Sequence, residues 1–135
     1  MARMTSRWMM SASAAFLAAL GLAATFLPQE IVAGGGEPGG ANGYLVLLVQ
    51  IAGGLYLGFA MLNWSVRDMV IGGIYNRPIA LGNLLHFLIV ALALLRAVAG
   101  GEHRAGIVTL TGFYCLFAAW FASTMFRSPA RERNS

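Results

Sequence analysis

Asn83 and His86 stand one turn apart inside an apolar run, where polar and ionisable groups are costly, and they are the residues of this sequence best suited to chemistry. A neutral imidazole can relay a proton, meet a quinone carbonyl or ligate a haem iron. Its ring nitrogens can equally be satisfied by Asn83, Asn63 or a backbone carbonyl, and it then serves only to tie helices together. Asn63 closes the preceding apolar run, so the stretch NWSVRDMVIGGIYNRPIALGNLLH, from Asn63 to His86, gathers most of the unusual side chains. Within it, Arg67 and Arg77 can hold an anionic lipid headgroup or the acidic surface of a partner, besides marking topology. Gly72-Gly73 lets the chain turn back sharply.

Several chemistries lack their residues. The two histidines, His86 and His103, lie near opposite ends of one apolar run, so no histidine-rich metal site forms in one chain, and a bis-histidine haem requires two subunits. Every Asp and Glu falls in a loop or tail, which argues against a proton-coupled exporter with a carboxylate inside a span. Cys115 and Ser123 have no acid or base nearby in sequence, so neither reads as a nucleophile. The glycine-rich QEIVAGGGEPGGAN, Gln29 to Asn42, lacks a P-loop lysine and carries Glu30 and Glu37; it reads as an exposed loop. No catalytic residue and no metal site is expected, and quinone or haem is the only cofactor that His86 would admit.

The elements that must position these residues are membrane spans. The chain has 135 residues, 59% of them hydrophobic and only 10% charged, against about 25% charged in a soluble domain. Its mean hydropathy is +0.71. All nine basic residues are arginines at the edges of apolar runs, a topology signal and not a nucleic-acid stripe. Four runs, near residues 9–27, 44–64, 79–99 and 106–126, suit a single all-α domain, an integral membrane four-helix bundle with a short tail over 127–135. A run of nineteen residues rises about 28 Å, enough to span. The first run can also be read as a cleaved signal peptide, but its apolar core exceeds the usual 7 to 15 or so residues, which favours a retained helix.

Small residues suggest how the spans meet. Ser11, Ala14, Ala18, Gly21 and Thr25 share a face of the first run, and Gly54 and Gly58 form a GxxxG pair in the second with Gln50 one turn before. Gly82, His86, Ala93 and Ala97 share a face of the third, expected to point into the bundle. In the fourth, Gly112, Cys115, Ala119 and Ser123 are expected to face inward. Phe113, Tyr114, Phe117, Trp120 and Phe121 are then left to lipid or a partner subunit. Asn63 is expected among headgroups.

A four-span topology puts Arg3, Arg7, Arg67, Arg77, Arg127, Arg131 and Arg133 on one side and Arg96 and Arg104 on the other, so both termini are expected in the cytoplasm. Arginine as the sole basic residue, with heavy Ala and Gly use, suggests a GC-rich bacterial genome and hence the cytoplasmic (inner) membrane. The run GGIYNRPIALGNLLHF, with the Pro28-ended first span and the short last loop, resembles small four-helix bacterial membrane proteins, DoxX-like in general plan. That resemblance implies a four-helix fold and a link to redox and thiol metabolism, and it supplies no catalytic residues. The role expected is a non-enzymatic subunit or accessory protein, in a homo-oligomer or larger membrane complex, with lipid as its solvent. The alternatives are a site for a quinone, another lipid-soluble ligand or a proton near Asn83 and His86, and an oligomeric transporter using Gln50 and His86.

Overall fold

Every backbone N–H and C=O in a bilayer core must find its partner within the protein, and a long apolar run meets that demand by coiling into a helix. The computed structural model describes residues 2–36, 42–69 and 77–127, with the side chains of all but 2–5 and 127. These residues form α1 (Ala2–Phe26), α2 (Pro28–Gly34), α3 (Gly43–Ser65), α4 (Arg77–Ala99) and α5 (Ala105–Arg127), with no strand among them. Four helices are long and apolar enough to cross a membrane, over Ser6–Phe26, Gly43–Ser65, Arg77–Ala99 and Ala105–Phe126. The expected turn at Gly72-Gly73, Glu37 and the tail beyond 127 lie outside the described residues.

By its contacts the chain divides into two compact units, Met10–Arg67 and Met1–Met9 with Asp68–Ser135. In the first, α1 and α3 run antiparallel and approach closely. A Cβ added to Gly53 would stand 2.9 Å from the Thr25 backbone nitrogen and 3.1 Å from the Ala24 carbonyl carbon. One added to Gly21 would meet Leu57 Cγ at 2.8 Å and the Gly53 oxygen at 3.0 Å. Ala14 and Gly21 of the expected small face are buried, alongside Met10, Ser13, Leu17 and Ala24. Gly54 and Gly58 do not share in this approach: both are exposed, and an added Cβ at either meets nothing within 4 Å. One residue along a helix is a rotation of about 100°, so neighbouring glycines serve different faces.

The segment read as a loop from Gln29 is in part helical. The chain breaks for one residue at Leu27 and resumes in α2, with Pro28 in its first turn, where the missing N–H is unneeded, and Glu30 near the positive end of the helix. Pro28 and Val32 are buried, and α2 packs against α3. Gly36, at φ 76°, takes the left-handed conformation after the helix. α3 then starts on Asn42, whose side chain accepts from the Tyr44 N–H at 2.9 Å.

In the second unit α4 and α5 form a hairpin with a tightly specified turn. The Gly101 N–H donates to the Val98 carbonyl at 3.1 Å, and the Glu102 N–H to the Ala97 carbonyl at 3.0 Å. With Gly101 at φ 102° this is a Schellman cap, which suits glycine because a Cβ disfavours that backbone. The buried side of α5 reverses the expectation. Thr111, Tyr114, Phe117, Ala118 and Phe121 are buried, whereas Gly112, Ala119 and Ser123 are exposed. On α4 the buried residues are Ala80, Asn83, Phe87 and Ala91, a face rotated away from the exposed Ala93 and Ala97. Small residues draw helices together only where the neighbour can come close. α4 instead presents Phe87, which rings from α5 enclose.

The glycine geometry yields a contrast between neighbours. Gly53→Ala should lower the thermal unfolding midpoint in detergent, with a loss of about 1 to 3 kcal/mol for overpacking against backbone. Gly54→Ala should leave the midpoint unchanged or raise it.

Candidate functional site

Phe87 is the centre around which the polar candidates of α4 are arranged. Its fully buried ring lies 5.2 Å from His86, 5.4 Å from Tyr114, 4.9 Å from Phe117 and 5.5 Å from Phe121, centroid to centroid. The two phenylalanines of α5 stack on it, while His86 meets it edge-on at 69°. His86 is half-buried, and its ring is also tilted against Tyr114, whose side chain is wholly buried, at 5.7 Å. Edge-on and offset arrangements are those that aromatic quadrupoles favour. His86 is therefore held by rings from both helices of the hairpin.

Asn83, one turn earlier, is fully buried, and its amide nitrogen donates to the Ile79 carbonyl of its own helix at 2.9 Å. The pair expected from sequence is thus brought to one end of α4, with Asn83 turned inward. His103 lies in the turn after α4, beyond thirteen further residues that rise about 20 Å, so the two histidines cannot meet on one ligand. Among the described residues no cluster of three His, Cys, Asp or Glu side chains forms.

Asn63 belongs to the other compact unit and is packed between helices near the end of α3. It is fully buried, and its amide nitrogen donates to the Ser13 hydroxyl across the α1–α3 pair at 3.0 Å; Ser13 in turn donates to the Met10 carbonyl at 3.0 Å. The position of Asn63 at the end of an apolar run gave no hint of this, because its partner is fifty residues away. Ser13 was missed altogether. The signal available was the spacing of Ser6, Met10, Ser13, Leu17 and Ala24, a second stripe beside the smaller residues that drew notice.

Three hydroxyls of α5 bond within their own helix. Thr111 donates to the Ile107 carbonyl at 2.7 Å, and Ser123 and Thr124 each donate to the Trp120 carbonyl at 2.8 Å. Such back-bonding lets a hydroxyl sit in an apolar helix without an external partner. Cys115 is a free, half-buried thiol. Gln50 is exposed on α3, on the same side as Gly54 and Gly58.

Arg67 closes the α3 terminus. Its Nη1 donates to the Trp64 carbonyl at 2.7 Å, and its guanidinium lies 4.0 Å above the Trp64 ring centre. This adds a charged donor to a carbonyl that also receives the Arg67 backbone N–H at 3.5 Å, and puts a cation at the negative end of the dipole. Arg77 begins α4 and is exposed. Asp68, beside Arg67 in sequence, pairs with Arg7 at 3.1 Å, and Ser6 donates to the Met69 carbonyl at 3.4 Å. The ion pair is exposed on both sides and stabilises little. Comparison with family models, with curated proteins and with solved structures found no match to this chain.

The bond between Ser13 and Asn63 is open to a double-mutant cycle. Ser13→Ala and Asn63→Ala should each lower stability, and together by less than the sum. The coupling should be about 0.6 kcal/mol, typical of side-chain hydrogen bonds between membrane helices, as measured by unfolding in mixed micelles.

Proposed function

We propose that this chain is a four-helix bundle integral to the bacterial cytoplasmic membrane. Both its termini are cytoplasmic, and it acts as a non-enzymatic subunit or accessory protein of a membrane complex. The observation that carries the reading is the open face of α3. Gln50, Gly54 and Gly58 follow one another at four-residue steps, all three are exposed, and the chain's own close helix contact is made at Gly53 instead. A glutamine amide facing hydrocarbon is costly, and two glycines beside it admit another backbone. A second copy or another membrane protein seated there would bond Gln50 and bury both glycines. The exposed Gly112 and Ala119 of α5 offer a second, plainer surface of the same kind. The orientation rests on the seven arginines assigned to one side against two on the other.

Gly54→Leu with Gly58→Leu should weaken self-association or release a co-purifying partner, while the unfolding midpoint of the isolated chain stays unchanged. Gln50→Leu should raise the dissociation constant about threefold, equivalent to the loss of roughly 0.6 kcal/mol. Both are readable by single-molecule photobleaching in liposomes. A lone monomer in mild detergent and in liposomes, with no partner from native membranes, would remove this reading. Reporters active only in the cytoplasm should work when fused at either end and fail when inserted at Gly101.

A second reading is supported by the placement of His86 against Tyr114 and Phe87. In it this end of α4 takes a quinone or relays a proton, with Asn83 orienting the ligand. His86→Ala should then abolish quinone binding while the protein stays folded. A lowered unfolding midpoint with no effect on binding assigns the histidine to packing alone.

A further inference from the structure

Gln50 is the polar side chain set deepest in the exposed surface of α3. It stands seven residues into the helix, about 10 Å from its start, and it has no hydrogen-bond partner among the described residues. The carboxamides of Asn63 and Asn83 are instead buried and bonded, to Ser13 and to the Ile79 carbonyl. Gly54, the middle residue of α3 with eleven on either side, and Gly58 follow Gln50 at four-residue steps. An added Cβ at either glycine meets nothing within 4 Å, so a neighbouring backbone can come close where the amide projects.

Charge complementarity selects that neighbour. A carboxamide ends in a partly positive NH2 and a partly negative oxygen, donor and acceptor side by side. The group that meets both at once, without bringing a full charge into hydrocarbon, is another carboxamide turned through half a circle. A second copy inserted in the same sense carries its own Gln50 at the same depth, and a two-fold axis along the bilayer normal makes the half-turn. Opposite insertion fails: helices crossing at Gly54 would then hold the two amides about 12 Å apart along the axis. Thr109, also exposed within a span, has a single hydroxyl and cannot return both bonds. Contact between unlike faces would also leave each surface open to a further copy, whereas the two-fold contact closes at two.

We propose that this face of α3 binds a second copy of the chain in a parallel two-fold pair: the helices cross at Gly54, and the two Gln50 carboxamides bond to each other. This pairing rests on the partner-surface reading given above and supplies its partner.

The test uses the full chain with Cys115→Ser, which removes the only cysteine, and a single new cysteine at Leu47 or at Leu48, neighbouring leucines that are both exposed. Leu47 lies about 20° around α3 from Gly54, and Leu48 about 120°. In native membranes treated with a short thiol cross-linker, Leu47→Cys should give an adduct of two copies and Leu48→Cys should not. Adding Gly54→Leu should abolish the Leu47 adduct. The purified chain in liposomes should bleach in two steps, and Gln50→Leu should raise its dissociation constant about threefold. The unfolding midpoint of each variant in detergent checks that it is folded. Equal adducts from the two cysteines, a Leu47 adduct that survives Gly54→Leu, or copies that associate without a Leu47 adduct overturn the pairing. A Leu47 adduct to a different protein, with a monomer in liposomes, overturns the pairing and keeps the partner-surface reading. No adduct of any mass, with a monomer in liposomes, removes both.

Discussion

In a bilayer the solvent is as apolar as leucine, so burying a hydrophobic side chain between helices gains little that lipid would not also give. What then holds the helices of such a protein is fit, and a small number of polar bonds that lipid cannot replace. Both are visible here. α1 and α3 meet where Gly21 and Gly53 let backbones close to a distance that no side chain would permit. One bond between Asn63 and Ser13 adds to that approach. α4 and α5 take the other route, with Phe87 enclosed by Tyr114, Phe117 and Phe121. One pair is joined by the absence of side chains, the other by their bulk.

The same constraint decides what could be read from the sequence. The four long helices were legible, because the length of an apolar run and its flanking arginines are set by the bilayer and not by neighbours. Which face of each helix turns inward was not. In a soluble protein the apolar face marks the core, but α5 is apolar all round, and its small residues and its rings were equally plausible as the packing side. The rings won because α4 offers Phe87 at the contact. On α3 the GxxxG spacing drew the eye to Gly54 and Gly58, while the contact within the chain is made by Gly53, about 100° around the helix.

The candidate site was legible to a similar degree. Asn83 and His86 were recognisable as costly groups inside a run, and the structure places both on α4, Asn83 buried and bonded to Ile79 and His86 half-buried against Phe87 and Tyr114. Tyr114 and Phe87, which hold the histidine, could not be assigned to it without knowing the inward face of α5. Asn63 looked like an interfacial residue by position, and only the antiparallel register of α1 and α3 gives it Ser13. The short helix α2 was hidden by the glycines that follow it, although Pro28 with Glu30 two residues later is a helix start that local rules recognise.

The four apolar helices are nearly equal in length, at 21, 23, 23 and 22 residues. At 1.5 Å per residue they measure about 32 to 35 Å, slightly more than the roughly 30 Å of hydrocarbon in an average membrane. Tilts of about 20° absorb that excess. None of these four is short enough to pinch a bilayer beside it or long enough to stretch it locally. All four are therefore matched to nearly one hydrocarbon thickness: a thinner membrane would ask more tilt of each and a thicker one less, and none makes a demand that the other three do not share.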